Sequence, residues 1–148
     1  MTRAIILGFV AGWALAAATG PSAIAEEPAR LMEQECGACH LAYPPQLLPA
    51  RSWRALMDRL PEHFGENAGL DPGMAKEIGA YLAAKAADAG GRDSRVLWDL
   101  GPGEAPLRIT ETPFWLHAHN LIPAADFRLA KSKTNCLACH ATLGGYAD

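Results

Sequence analysis

The sequence predicts a mostly α-helical, loop-rich chain folded as two small lobes, and three observations carry that prediction. Helix-start signals recur at Ser52, Asp71-Pro72 and Thr112-Pro113, ahead of apolar residues at helical spacing. One short stretch, Leu107–Thr110, has modest strand character. Proline and glycine punctuate the rest, and the Gly90–Gly103 region is the expected boundary between a lobe at Glu26–Gly91 and a second at Arg92–Asp148.

Met1–Ala25 is an expected cleaved export signal. Arg3 supplies the positive start, Ala4–Thr19 is an almost unbroken apolar run, and Ala23-Ile24-Ala25 is a small-residue exit followed by Glu26-Glu27. The run is short for the roughly 20 residues of a membrane span, which makes a retained anchor the weaker reading. No later stretch is long and apolar enough to cross a bilayer, so no stable membrane insertion is expected after cleavage. Leu31–Cys39 leads into a helix, and Tyr43–Pro49 is proline-rich enough to be an extended loop. Ser52 is the expected cap of a helix reaching Leu60, with Trp53, Leu56, Met57 and Leu60 on one face; Pro61 ends or kinks it. Asp71-Pro72 opens the next helix, whose stripe is Met74, Ile78, Tyr81 and Leu82 and whose end is Gly90-Gly91. Gly101-Pro102-Gly103 is a turn, Thr112-Pro113 opens a short helix, Pro123–Ala130 forms another, and Thr134 caps a last helix.

The chain has 148 residues and a net charge of −3. Such a mildly acidic balance leaves no broad basic field, which argues against nucleic acid as a partner. Glu26–Gly91 holds six basic and ten acidic residues, and Arg92–Asp148 holds six of each. Arg128, Lys131 and Lys133 cluster just before Cys136; a solvated helix end is the plainer reading and a docking patch the alternative.

All four cysteines fall in two copies of one pattern, Cys36-Gly37-Ala38-Cys39-His40 and Cys136-Leu137-Ala138-Cys139-His140. In an exported chain, C-x-x-C-H is the attachment signature of c-type haem. Two thiols at this spacing reach the two vinyl groups of one porphyrin as thioethers, and the adjacent imidazole lies under the iron. The expected cofactors are therefore two covalently bound haem c groups, held by Cys36, Cys39, Cys136 and Cys139, with His40 and His140 on the irons. The rivals fit less well. A zinc site needs four ligands and leaves both histidines without a role. A thioredoxin-like pair lacks the surrounding βαβ pattern, and disulfides have no need of the histidine.

Three histidines remain, His63, His117 and His119. His63 continues the apolar face of the Ser52–Leu60 segment and is the expected second ligand of one iron, with Met57 or Met74 as the alternative. His117 and His119 follow Thr112-Pro113, and two helical positions lie about 200° apart, so only one of them can face a given iron. Helix geometry leaves that choice open.

At these residues the sequence resembles the small dihaem cytochrome c family of bacterial periplasms. The resemblance is carried by Glu35 through Pro49, by Ser52-Trp53 and His63-Phe64-Gly65, by Arg108 through Pro113, and by Asn135 through His140. It covers nearly all of Glu26–Asp148. It implies a small class I cytochrome c-like N-terminal lobe, a loop-rich helical C-terminal lobe with its own haem arrangement, and bis-histidine ligation in both. His63 and His119 match the family's distal ligands, whereas His117 falls where the family more often has a non-ligating polar residue. Pro61 departs from the family's usually uninterrupted segment before His63. The resemblance further implies periplasmic electron transfer between a membrane-bound b-type cytochrome and a small oxygen-binding c-type haem protein. A haem peroxidase or reductase with one open iron, and a haem-free thiol-disulfide exchanger, are the alternatives.

Overall fold

In the computed structural model, which describes residues 23–89 and 94–143, the regular structure is helical, and no strand forms among the described residues beyond an isolated bridge between His63 and Glu66. The order is α1 (Ala23–Gly37), α2 (Ala50–Met57), α3 (Pro72–Ala84), α4 (Pro113–Ala118) and α5 (Ala124–Leu129), linked by short 3-10 turns. The expected signal Met1–Ala25 lies almost wholly outside the described residues. Among those described, no helix is long and apolar enough to cross a membrane.

The core of the N-terminal half is built where α3 packs against α1 and α2. Ile78 and Leu82, from the expected stripe, are buried there with Met32, Leu48, Trp53 and Ala86. Met74 and Tyr81 pack at its edge. Tyr43–Pro49 differs from the expected extended loop: it folds into a 3-10 turn at Pro45–Leu47 and buries Leu47 and Leu48. The Trp53 indole holds it by donating to the Pro45 carbonyl at 2.7 Å.

Helix boundaries follow local caps where these exist. Asp71 accepts from Gly73 N–H at 2.8 Å and Met74 N–H at 3.4 Å, with Pro72 at the first helical position, and Thr112 accepts from Trp115 N–H at 3.2 Å ahead of Pro113. Ser52 is not a cap, because α2 starts at Ala50 and Ser52 is fully buried in its first turn. The cap arrives from far along the chain: the Asp88 carboxylate accepts from Ala50 N–H at 2.7 Å. α2 stops at Met57 rather than Leu60, and Pro61 sits in a separate 3-10 turn at Leu60–Glu62. α3 stops at Ala84, short of the expected Gly90-Gly91, because the chain turns there and Ala87 N–H donates to the Leu48 carbonyl at 3.0 Å.

Two further expectations are corrected in the C-terminal half. Leu107–Thr110 forms no strand; Ile109–Glu111 is a 3-10 turn in which Glu111 and Thr112 N–H groups donate to Arg108 and Ile109 carbonyls. A four-residue stretch with no neighbouring strand among the described residues has only local partners for its backbone. Nor does Thr134 cap a helix: the second attachment segment is one 3-10 turn, Cys136–Ala138, preceded by Asn135.

The halves are tied by side chains. The Arg51 guanidinium donates to the carbonyls of Gly101, at 3.0 Å, and Glu104, and pairs with Asp88 at 3.6 Å. Ile109 packs against the N-terminal core, and the Tyr43 hydroxyl donates to the Thr134 carbonyl at 2.9 Å.

Candidate functional site

The first site forms around the end of α1. Backbone N–H groups of Cys39 and His40 turn back to the Cys36 carbonyl, which places the histidine just past the helix end. His40 Nδ1 lies 2.7 Å from the Leu41 carbonyl. A carbonyl only accepts, so the proton sits on Nδ1 and the lone pair is on Nε2, the nitrogen left for a metal.

His63 comes to this imidazole from the turn after Pro61. Phe64 and Gly65 both have positive φ, 54° and 103°, and Glu66 N–H donates to the His63 carbonyl at 3.0 Å. Glycine adopts that conformation without the cost that a side chain imposes. The ring centroids of His40 and His63 lie 6.0 Å apart. Metal–imidazole bonds of about 2 Å, with each nitrogen about 1 Å from its ring centre, put two imidazoles on opposite sides of one metal at about this span. Met57 lies beside Gly79 of α3 and Met74 packs against the core, whereas the His63 ring lies beside that of His40.

The second site repeats the span. His140 N–H donates to the Cys136 carbonyl at 2.9 Å, and the rings of His119 and His140 are also 6.0 Å apart. His119 follows the last residue of α4, and its Nδ1 lies 2.9 Å from the Trp115 carbonyl, again leaving Nε2 as the free nitrogen. The Trp115 indole stacks on the His119 ring at 4.3 Å, with planes 15° apart. His117, two positions earlier, is exposed and lies beside Trp98 at 4.9 Å. Of the two histidines that helix periodicity left open, packing brings His119 to His140 and His117 to Trp98.

A cavity of about 350 Å³ occupies this second site, lined among others by Trp115, His119, Phe127, Cys136, Cys139 and His140. That volume is in the range of cofactor pockets, about 300–1,000 Å³. A smaller space of about 230 Å³ lies between the two attachment segments, bounded by His40, Tyr43, Thr134 and Cys136. The residues present therefore fit a haem in each half, with two thiols and a proximal imidazole in sequence and an opposed imidazole in space, and the second site adds a cavity with largely apolar walls.

Electrostatics point the same way. Burial, then the neighbouring His40 and Arg108, hold the His63 imidazole below its ordinary range, so it is neutral near pH 7 and its lone pair is available. Burial pushes the Cys36 and Cys136 thiols up. A thiol-exchange pair needs the opposite shift. None of the four cysteines forms a disulfide.

Sequence reading missed the supporting residues. Trp115 is one helical turn from His119, a spacing that could have suggested contact. Arg108 lies 3.9 Å over the Phe64 ring and ion-pairs with Glu111 at 3.4 Å, and no local pattern announces this contact between halves. Lys133, from the basic cluster, reaches over Trp115 and Phe127 at 5.7 and 5.8 Å and lines the larger cavity.

Comparison with known proteins fits this geometry. The family model for dihaem cytochrome c matches residues 32–145. A diheme cytochrome c from Rhodobacter sphaeroides is 47% identical, with a TM-score of 0.72 over 76% of this chain and 90% of its own. A diheme cytochrome type c from Shewanella baltica OS155 is 35% identical, with a TM-score of 0.62 over 77% of this chain and 81% of its own. No curated protein matches. Two C-x-x-C-H segments, each with an opposed histidine, inside a match of this extent leave one assignment: the chain belongs to the dihaem cytochrome c family and carries two covalently bound haem c groups.

Proposed function

We propose that the chain is a periplasmic electron carrier whose two haems are both bis-histidine and of low potential, His40 with His63 and His140 with His119. The observation that carries this reading is the common 6.0 Å span of the two histidine pairs. Each bound haem supplies a one-electron ferric/ferrous couple. His40 with His63, and His140 with His119, would hold each iron from both sides, so that oxygen, peroxide and carbon monoxide would have to displace a histidine to bind. Nδ1 bonds to the Leu41 and Trp115 carbonyls orient two of the four rings and raise their basicity. Imidazole on both sides gives a lower potential than a His/Met pair. Export through the Met1–Ala25 signal would place the protein among periplasmic redox partners. A membrane-bound b-type cytochrome as donor and a small oxygen-binding c-type haem protein as acceptor are the partners that the family resemblance supports.

Optical spectroscopy tests the ligation. The reduced wild-type protein is expected not to bind carbon monoxide on mixing. His63→Ala and His119→Ala should each create one carbon monoxide-binding haem per chain, while His117→Ala creates none. Rapid binding by the wild type, or binding by His117→Ala in place of His119→Ala, would overturn the assignment for that haem and favour an enzyme with an open iron.

A further inference from the structure

The two histidine pairs share a span and differ in twist. The planes of His40 and His63 are 19° apart, close to parallel, whereas those of His119 and His140 are 73° apart, close to crossed. Different neighbours set the two arrangements. Beside His40 lie the Leu41 carbonyl and the Tyr43 ring, the latter at 5.3 Å and 23° from parallel. On the other side His119 is gripped twice by one residue, through the bond from Nδ1 to the Trp115 carbonyl and through the indole face at 4.3 Å. Phe127 closes on the same cluster, 5.7 Å from Trp115 and 6.4 Å from His119.

An imidazole's π orbital stands perpendicular to its ring and overlaps one of the two iron dπ orbitals. Parallel ligands act on the same orbital and split the pair. Crossed ligands act on one orbital each and leave the pair nearly degenerate, which makes the ferric magnetic moment strongly anisotropic.

We infer that the two haems are electronically distinct, with a near-parallel pair at the N-terminal site and a crossed pair at the C-terminal site, and that Trp115 is the positioning residue that keeps the second pair crossed. This inference rests on the bis-histidine reading above. It gives each electron-carrying site its own spectroscopic label, so the order in which the sites fill during reductive titration can be read directly.

The test is low-temperature electron paramagnetic resonance of the ferric holoprotein. Two low-spin signals of equal intensity are expected, one rhombic with resolved features and one strongly anisotropic with a single low-field feature. His63→Met should remove the rhombic signal and His119→Met the anisotropic one. Trp115→Leu removes the stacked face and should shift the anisotropic signal toward rhombic while leaving the other unchanged; Trp115→Phe keeps an aromatic face and should preserve it. Where Trp115→Leu fails to accumulate, the wild-type spectrum and the ligand variants still decide. Two low-spin signals of one type, or an anisotropic signal indifferent to Trp115→Leu, would overturn the twist. A high-spin signal from half the haem would instead overturn the ligation on which it rests.

Discussion

At the scale of single residues, Tyr43 joins the two attachment segments. Its ring lies 5.3 Å from that of His40, and its hydroxyl donates to the Thr134 carbonyl, two residues before Cys136. Burial raises the phenol pKa, so the hydroxyl is a donor at neutral pH. Tyr43→Phe keeps the ring and deletes the bond, and should cost about 1 kcal/mol in denaturant unfolding with little change in the slope. An unchanged midpoint would show that the bond adds nothing. The sequence marked Tyr43 only as the start of a proline-rich loop. A hydrogen bond across 91 positions has no signature in local composition.

Among elements, the two side-chain caps of α3 and α4 invite a paired experiment. Asp71 caps a helix whose buried face serves the N-terminal core, while Thr112 caps the short helix that presents His119. Asp71→Ala and Thr112→Ala should each lower stability by about 1 kcal/mol, with Thr112→Ala toward the upper end near 2, since Thr112 is buried and also donates its hydroxyl to the Ile109 carbonyl at 2.8 Å. Only Thr112→Ala should disturb a haem spectrum, and a change of equal size with Asp71→Ala would contradict the separation of roles. Both caps were legible because the side chain and the N–H groups it serves lie within three residues. The start of α2 was not, because its cap is Asp88, and the end of α3 was not, because Leu48 takes the N–H of Ala87. Leu107–Thr110 read as a strand for the converse reason: β-propensity reports fit to a neighbouring strand, and no strand lies beside it among the described residues.

Over the whole molecule, the described buried residues are unequally shared. Met32, Leu48, Trp53, Ile78, Leu82 and Ala86 form a cluster among α1, α2 and α3, whereas α4 and α5 surround a cavity of about 350 Å³. Small folding units are marginal on protein core alone, and a covalently attached haem supplies a large apolar centre for the folded chain to bury. Cys136→Ser with Cys139→Ser, which blocks attachment in the second half, should therefore leave α3 protected against amide hydrogen exchange while α4 and α5 exchange rapidly. Retained protection in α4 would show that the protein core suffices there.

The chemistry of this protein was determined by sequence alone, because thioether attachment and the proximal ligand need only five consecutive residues, and each half carries such a set at Cys36–His40 and Cys136–His140. Cap chemistry at Asp71 and Thr112 was legible for the same local reason. The tertiary structure decided what depends on direction. His117 and His119 differ by two helical positions, and only packing of α4, with Trp115 against His119, turns one toward His140 and the other toward Trp98. The relative twist of the two histidine pairs likewise depends on space, because each pair brings together rings from separate segments of the chain, His40 with His63 and His119 with His140.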